Sequence, residues 1–145
     1  MFAGTNEALL MPFAGMMLLT MLVWLYMYFY RFRWIAEAKV SAQSLAQGVK
    51  STEGLPPKVV NPPANFRNLF ELPVLFYALC LALITMNAVT ETQVILAWGF
   101  LIFRVLNSLI HCTINIVKWR FLTYLGSALC LWAQLILAVA DLLAA

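Results

Sequence analysis

Charge is scarce in this chain of 145 residues, of which 10% are Asp, Glu, Lys or Arg and 64% are apolar. The mean hydropathy is +0.89. Soluble domains carry about 25% charged residues, so this composition excludes an ordinary soluble domain. The chain is predicted to be an integral membrane protein.

Residues that bind metals or phosphate are also few. The chain has one histidine, and its three cysteines, Cys80, Cys112 and Cys130, lie far apart. No metal-ligand spacing results, and we find neither a glycine-rich phosphate loop nor a serine nucleophile motif. We expect the cysteines to be free thiols that pack as small apolar residues. The net charge of +3 comes without a basic and aromatic pattern, so no nucleic-acid partner is predicted.

Four apolar segments are long enough to cross a bilayer, which takes about 20 residues of helix. We predict spanning helices over residues 8–34, 68–88, 92–117 and 121–143. The stretch 35–66 is polar, and its proline pairs at 56–57 and 62–63 predict an irregular connector. The predicted fold is all-α: a single membrane domain over 1–145, built as a bundle of four transmembrane helices.

The basic residues predict the orientation in the membrane. They lie in the connector, at its edges and at the junction of the last two helices, which includes Lys118 and Arg120. The opposite side has only the acids Glu7, Glu91 and Asp141. Because basic loops stay in the cytoplasm, both termini are expected on the non-cytoplasmic side of a multi-pass protein.

The third apolar segment contains an unusual polar series. At steps of three or four it carries Arg104, Asn107, Ser108, His111, Asn115 and Lys118. A continuous helix places residues at these steps on one face. An ionisable group at the centre of a spanning helix costs at least ~2.5 kcal/mol, so this face must contact protein or water.

The neighbouring segments add two further polar series. The second carries Asn65, Asn68 and Glu71, and the fourth carries Arg120, Tyr124, Ser127 and Gln134. Arg104 lies ~20 Å from the basic end of its helix at ~1.5 Å per residue, and Glu71 is its expected partner. Three polar faces that converge predict a cavity open to the cytoplasm.

A different interpretation is that these polar residues only hold the helices together, at ~0.6 kcal/mol per hydrogen bond. Arg104 and Glu71 would then form a structural ion pair. The excess of cations favours a cavity for an anion, because several arginines accompany one acid. The arginines are Arg31, Arg33, Arg67, Arg104 and Arg120.

Two motifs carry a resemblance to a known family. NFRNLFELPVLF, at 65–76, and RVLNSLIHCTINIVKWRFLTY, at 104–124, resemble the MAPEG superfamily, the membrane-associated proteins in eicosanoid and glutathione metabolism. The four-helix layout and the polar connector match as well, so the resemblance covers nearly the whole chain. It implies a homotrimer that binds glutathione between neighbouring subunits, near the cytoplasmic side.

The resemblance also implies roles for individual residues. Arg120 is implied to be catalytic, because it would stabilise the glutathione thiolate, while Asn68 and Glu71 would hold the polar ends of the tripeptide. The other residues implied to bind glutathione are Arg31 (or Arg33), Arg67, Arg104, Asn107, His111 and Tyr124.

The chain departs from the eicosanoid members of the family at three positions. They have arginine, histidine and tyrosine where this chain has Ala64, Asn107 and His111. The sequence is more similar to the bacterial branch, which predicts a location in a bacterial inner membrane.

The leading hypothesis is a membrane-bound glutathione-dependent transferase or peroxidase, with glutathione as co-substrate. A lipophilic electrophile or hydroperoxide would enter from the membrane lipid. The alternative is a non-catalytic membrane subunit that binds a lipid headgroup or another small anion in the same polar cavity. A channel or transporter is a weaker third hypothesis, because no predicted helix has Gly or Pro at its middle.

Overall fold

The computed structural model describes residues 5–39 and 55–144, and in these ranges every regular element is a helix. The helices are α1 (Thr5–Ala38), α2 (Pro57–Asn68), α3 (Leu72–Thr85), α4 (Glu91–Cys112) and α5 (Val117–Ala144). Because only three residues separate α2 from α3, the two together form one apolar stretch, and four stretches are long enough to span a membrane. The predicted all-α membrane fold is confirmed.

The irregular connector is shorter than predicted. We predicted it over 35–66, whereas α1 continues to Ala38 and α2 begins at Pro57; residues 40–54 lie outside the described residues. Pro57 takes the first helical position, where its missing N–H costs nothing. Pro62 lies inside α2 and is buried. A proline there removes a backbone hydrogen bond, and the packing of α2 against α1 offsets that loss.

The loop between the last two helices comes earlier than predicted. Helix α4 ends at Cys112 rather than at residue 117, and α5 begins at Val117 rather than at residue 121. Asn115, in the turn, has a φ of 49°, a left-handed conformation that asparagine adopts more readily than most residues. Asn115 and Lys118 therefore do not continue the polar face of α4, and this part of the prediction was wrong.

The helices pack through apolar and polar contacts. The rings of Phe76 and Phe100 stack with their centroids 4.4 Å apart and join α3 to α4. Towards the other end of α4, Gln93 and Gln134 each donate a side-chain hydrogen bond to the other's backbone carbonyl, at 3.2 and 3.3 Å. These bonds fix α4 against α5 at a point where the sequence singled out only Gln134. The three cysteines are free thiols.

Gly126 sets the close approach of α5 to α4. A Cβ atom at this position would lie 2.7 Å from Cδ1 and Cε1 of Phe103, whereas one at Gly99 would meet only Sγ of Cys130, at 3.0 Å. Overpacking costs about 1–3 kcal/mol, so we expect Gly126→Ala to lower the Tm in detergent by several degrees. Gly99→Ala is the matched control and should lower it less. Equal Tm values for the two variants would contradict this account.

Candidate functional site

A polar cavity lies where the end of α4 and the start of α5 meet the junction of α2 and α3. Its volume is about 220 Å³. The wall is formed by Asn68, Asn107, Val117, Arg120, Phe121 and Tyr124. The structure thus brings four of the predicted site residues together, one from α2, one from α4 and two from α5.

Arg120 is held at both ends of the residue. Its Nη1 donates a hydrogen bond to Oδ1 of Asn115 at 2.8 Å. Its backbone carbonyl accepts hydrogen bonds from Nδ2 of Asn107 at 2.8 Å and from Oγ1 of Thr123 at 3.1 Å. The side chain is partly buried. The hydrogen bonds to Asn115 and Asn107 fix the position of its charge relative to the cavity.

Arg104 lies behind the cavity wall and is fully buried. Its Nη1 donates to the backbone carbonyl of Asn68 at 3.4 Å. Its guanidinium lies 4.7 Å from the ring centroid of Tyr124 and 5.4 Å from that of Phe100, and such contacts stabilise a cation by about 0.5–2 kcal/mol. Within 5–39 and 55–144, neither Nε nor Nη2 has a hydrogen-bond partner. A positive charge therefore stands directly behind Asn68 and Tyr124.

The predicted ion pair between Arg104 and Glu71 is not formed. Glu71 is exposed, and the side-chain ion pair in the described part of the chain joins Arg33 to Glu37, at 2.8 Å. The prediction assumed one continuous helix through residues 65–71. In the structure α2 ends at Asn68 and α3 begins at Leu72, so Glu71 leaves the face that Asn65 and Asn68 share.

Other predicted residues do not line the cavity. Arg31 and Arg67 are exposed on the surface of the chain, whereas His111 is buried, with 2% of its area exposed. Nδ1 of His111 has no hydrogen-bond partner among the residues described.

Asn65 is also fully buried. Its Oδ1 accepts a hydrogen bond from Ser108 at 3.4 Å, and its Nδ2 donates to Sγ of Cys112 at 3.6 Å. It joins α2 to α4 and does not face the cavity.

Asn61 is a contributor that sequence reasoning missed. Its Oδ1 accepts a hydrogen bond from Nδ2 of Asn115 at 3.0 Å, which links α2 to the turn that holds Arg120. The signal was present, because Asn61, Asn65 and Asn68 follow one another at steps of four and three. It was hidden because the proline pairs predicted irregular chain in this region.

The composition of the wall suits an anion. One arginine and the side chains of two asparagines and a tyrosine line it, with a second arginine behind, and no acidic residue is among the lining residues. Planar guanidinium groups bind carboxylates and thiolates better than neutral donors do. In the described ranges, no group of His, Cys, Asp and Glu side chains could hold a metal ion.

An apolar groove of about 420 Å³ lies between α1 and α4. Its walls are mainly leucine and valine side chains from both helices, together with Gly15, Tyr26 and Cys112. Ser108 lines this groove and also contacts Asn65, so the groove and the polar helix junction share the same part of α4.

Comparison with known proteins identifies the family. The sequence model of the MAPEG family matches residues 9–140, a range that includes all the residues predicted to form the site. This match confirms the resemblance seen in the two motifs. No significant match was found among curated proteins or among solved structures.

The absence of an ion pair between Arg104 and Glu71 in the described residues predicts how two variants behave. Glu71→Gln should change the free energy of unfolding by no more than about 0.5 kcal/mol, because the carboxylate is exposed. Arg104→Met should keep or raise the Tm of the protein without ligand, because it removes a buried cation that lacks an acid partner there. Thermal unfolding in detergent measures both. A loss of several degrees in both variants would show that the two side chains pair.

Proposed function

Because the chain belongs to the MAPEG family, we propose that this integral membrane protein is a glutathione-dependent transferase or peroxidase. The family places the chain among the membrane proteins of glutathione and eicosanoid metabolism. The observation that carries the proposal is the cavity in which Arg120 and Tyr124 lie beside Asn68 and Asn107, with the charge of Arg104 behind them.

The charge of the cavity suits glutathione. The tripeptide carries two carboxylates and becomes more negative when its thiol ionises. The wall has one arginine, with a second behind it, and no acid. We assign Arg120 as the catalytic residue: its guanidinium lowers the energy of the thiolate, which is the nucleophilic form. Asn68 and Tyr124 would donate hydrogen bonds to the bound tripeptide. The amide nitrogen of Asn107 already donates to Arg120 and Thr123, so Asn107 would accept a hydrogen bond from the tripeptide with its Oδ1. Arg104 and His111 are both buried. They would support the binding of the tripeptide from behind the cavity wall.

The exposed candidates point to a site shared between subunits. Arg31, Arg67 and Glu71 lie on the surface, where they are available to a glutathione molecule that also contacts a neighbouring copy. We therefore propose a homotrimer in which these residues complete the site, with Glu71 taking the ammonium of glutathione and the arginines its carboxylates. Large apolar side chains exposed on every spanning helix supply the surfaces for lipid and for the other subunits.

The second substrate is proposed to be lipophilic. It would partition into the bilayer and reach the thiolate along apolar surfaces such as the groove between α1 and α4. In a transferase reaction the sulfur forms a bond to an electrophilic carbon as the leaving group departs. In a peroxidase reaction the sulfur attacks the terminal oxygen of the O–O bond, which releases the alcohol and leaves a sulfenic acid on the sulfur. A second glutathione then attacks that sulfur, and the disulfide forms as water is released.

The proposed orientation places the cavity on the cytoplasmic side. Lys118, Arg120 and Arg67 lie at the same end of the bundle as the cavity, and basic residues mark the cytoplasmic side. Both termini would then lie on the non-cytoplasmic side, in a bacterial inner membrane.

The role of Arg120 can be tested by thiolate formation. Purified protein in detergent should show the ultraviolet absorbance of a thiolate when glutathione is added, and Arg120→Ala should abolish that signal while the oligomer stays intact. Lys118→Ala is the matched control, because Lys118 is an exposed basic residue in the same first turn of α5 and does not line the cavity.

Two results would contradict this assignment. A thiolate signal that survives in Arg120→Ala would remove Arg120 from the catalytic role. No signal from the unmodified protein at saturating glutathione would favour the alternative, a non-catalytic subunit that binds a lipid headgroup or another small anion.

A further inference from the structure

We propose that Asn115, supported by Asn61, is a positioning residue that holds Arg120 in place without neutralising its charge. This inference rests on the proposed function and extends it to two residues that do not line the cavity. The three side chains form a continuous series from α2 to the turn and on to α5, with distances of 3.0 and 2.8 Å.

The direction of these hydrogen bonds is fixed by chemistry. A guanidinium can only donate, so the carboxamide oxygen of Asn115 must face Arg120. The amide nitrogen of Asn115 then faces the opposite way and donates to Oδ1 of Asn61. Each carboxamide orients the next, and the position of the arginine is thereby tied to α2.

The backbone gives Asn115 a defined position. Its N–H donates to the carbonyl of Ile110 at 2.7 Å, which ties the turn to the last part of α4. Its left-handed φ of 49° suits asparagine, aspartate or glycine better than other residues. The turn therefore places the carboxamide of Asn115 within hydrogen-bond distance of the Arg120 guanidinium. The backbone carbonyl of Arg120 accepts a separate hydrogen bond from Asn107.

The neutrality of the amide matters as much as its position. A carboxylate at the same distance would also hold the guanidinium, but it would offset most of the positive charge that stabilises a thiolate. An amide oxygen accepts the hydrogen bond and leaves the net charge of Arg120 unchanged. This agrees with the cavity wall, which contains no acidic residue.

Asn87 provides a matched control for the turn itself. It has a φ of 51° and follows α3, in the turn at the opposite end of the bundle. Its Oδ1 also accepts a side-chain hydrogen bond, from Nδ2 of Asn6 at 2.9 Å. Substitutions at Asn87 thus reproduce the backbone effect of a change at Asn115, far from Arg120.

The test compares Asn115→Gly and Asn115→Asp with Asn87→Gly and Asn87→Asp in the full chain in detergent. Glycine keeps the left-handed backbone and removes the side chain, whereas aspartate keeps the shape and adds a charge. The measurement is the pH dependence of thiolate absorbance with saturating glutathione. We expect Asn115→Asp to raise the midpoint of thiolate formation by about one pH unit, which is a tenfold fall in the ionisation constant of the bound thiol.

We expect Asn115→Gly to shift the midpoint in the same direction but less, because the charge of Arg120 remains although its position is lost. Both Asn87 variants should titrate like the unmodified protein. Asn115 variants that titrate like the unmodified protein would overturn the inference while leaving the proposed function intact, and so would an equal shift in all four variants. If the unmodified protein forms no thiolate, the proposed function itself fails.

Discussion

A polar face on an apolar helix is the constraint from which the site follows. Arg104, Asn107, Ser108 and His111 lie on one face of α4, and all four are buried. None of them can face lipid without a large desolvation cost. The other helices must therefore cover this face, and they do so with their own polar groups. Asn65 accepts a hydrogen bond from Ser108, the backbone carbonyl of Asn68 accepts one from Arg104, and Thr123 accepts one from Asn107.

Among the described residues, the hydrogen-bonding capacity of this face is only partly used, because Nδ1 of His111 and two nitrogens of Arg104 have no partner. Asn107 and Ser108 find neutral partners, whereas Arg104 has one long hydrogen bond and two aromatic rings. In the ranges the structure describes, neither Arg104 nor Arg120 forms an ion pair with an acid. A buried arginine without a paired carboxylate lowers the stability of the fold, because its charge is desolvated without compensation. The same uncompensated charge favours the binding of an anion. Charge excess is thus the physical link between the fold and the proposed chemistry.

The fold could be predicted from the sequence where the prediction used a rule that does not depend on how the helices pack. Runs of about 20 apolar residues identify spanning helices because the bilayer sets their length. It failed where packing overrode a local rule. The prolines of α2 mark irregular chain by propensity, yet the contact with α1 keeps α2 helical and hid Asn61. Periodicity likewise assumed unbroken helices, so it assigned Glu71 to the cavity and Asn115 to α4. Asn68, Asn107, Arg120 and Tyr124 do line one cavity, as the converging polar faces predicted, while their roles in binding stay predictions.

If the cavity binds glutathione as its thiolate, as we propose, binding must release the proton of the thiol. Calorimetric titration of the full chain with glutathione, in buffers of different ionisation enthalpy, measures how many protons leave on binding. We expect release of about one proton per glutathione at neutral pH, because the bound thiol ionises. We expect none for S-methylglutathione, which has no thiol proton. Equal proton release for the two ligands, or tight binding of glutathione without any release, would contradict the proposal.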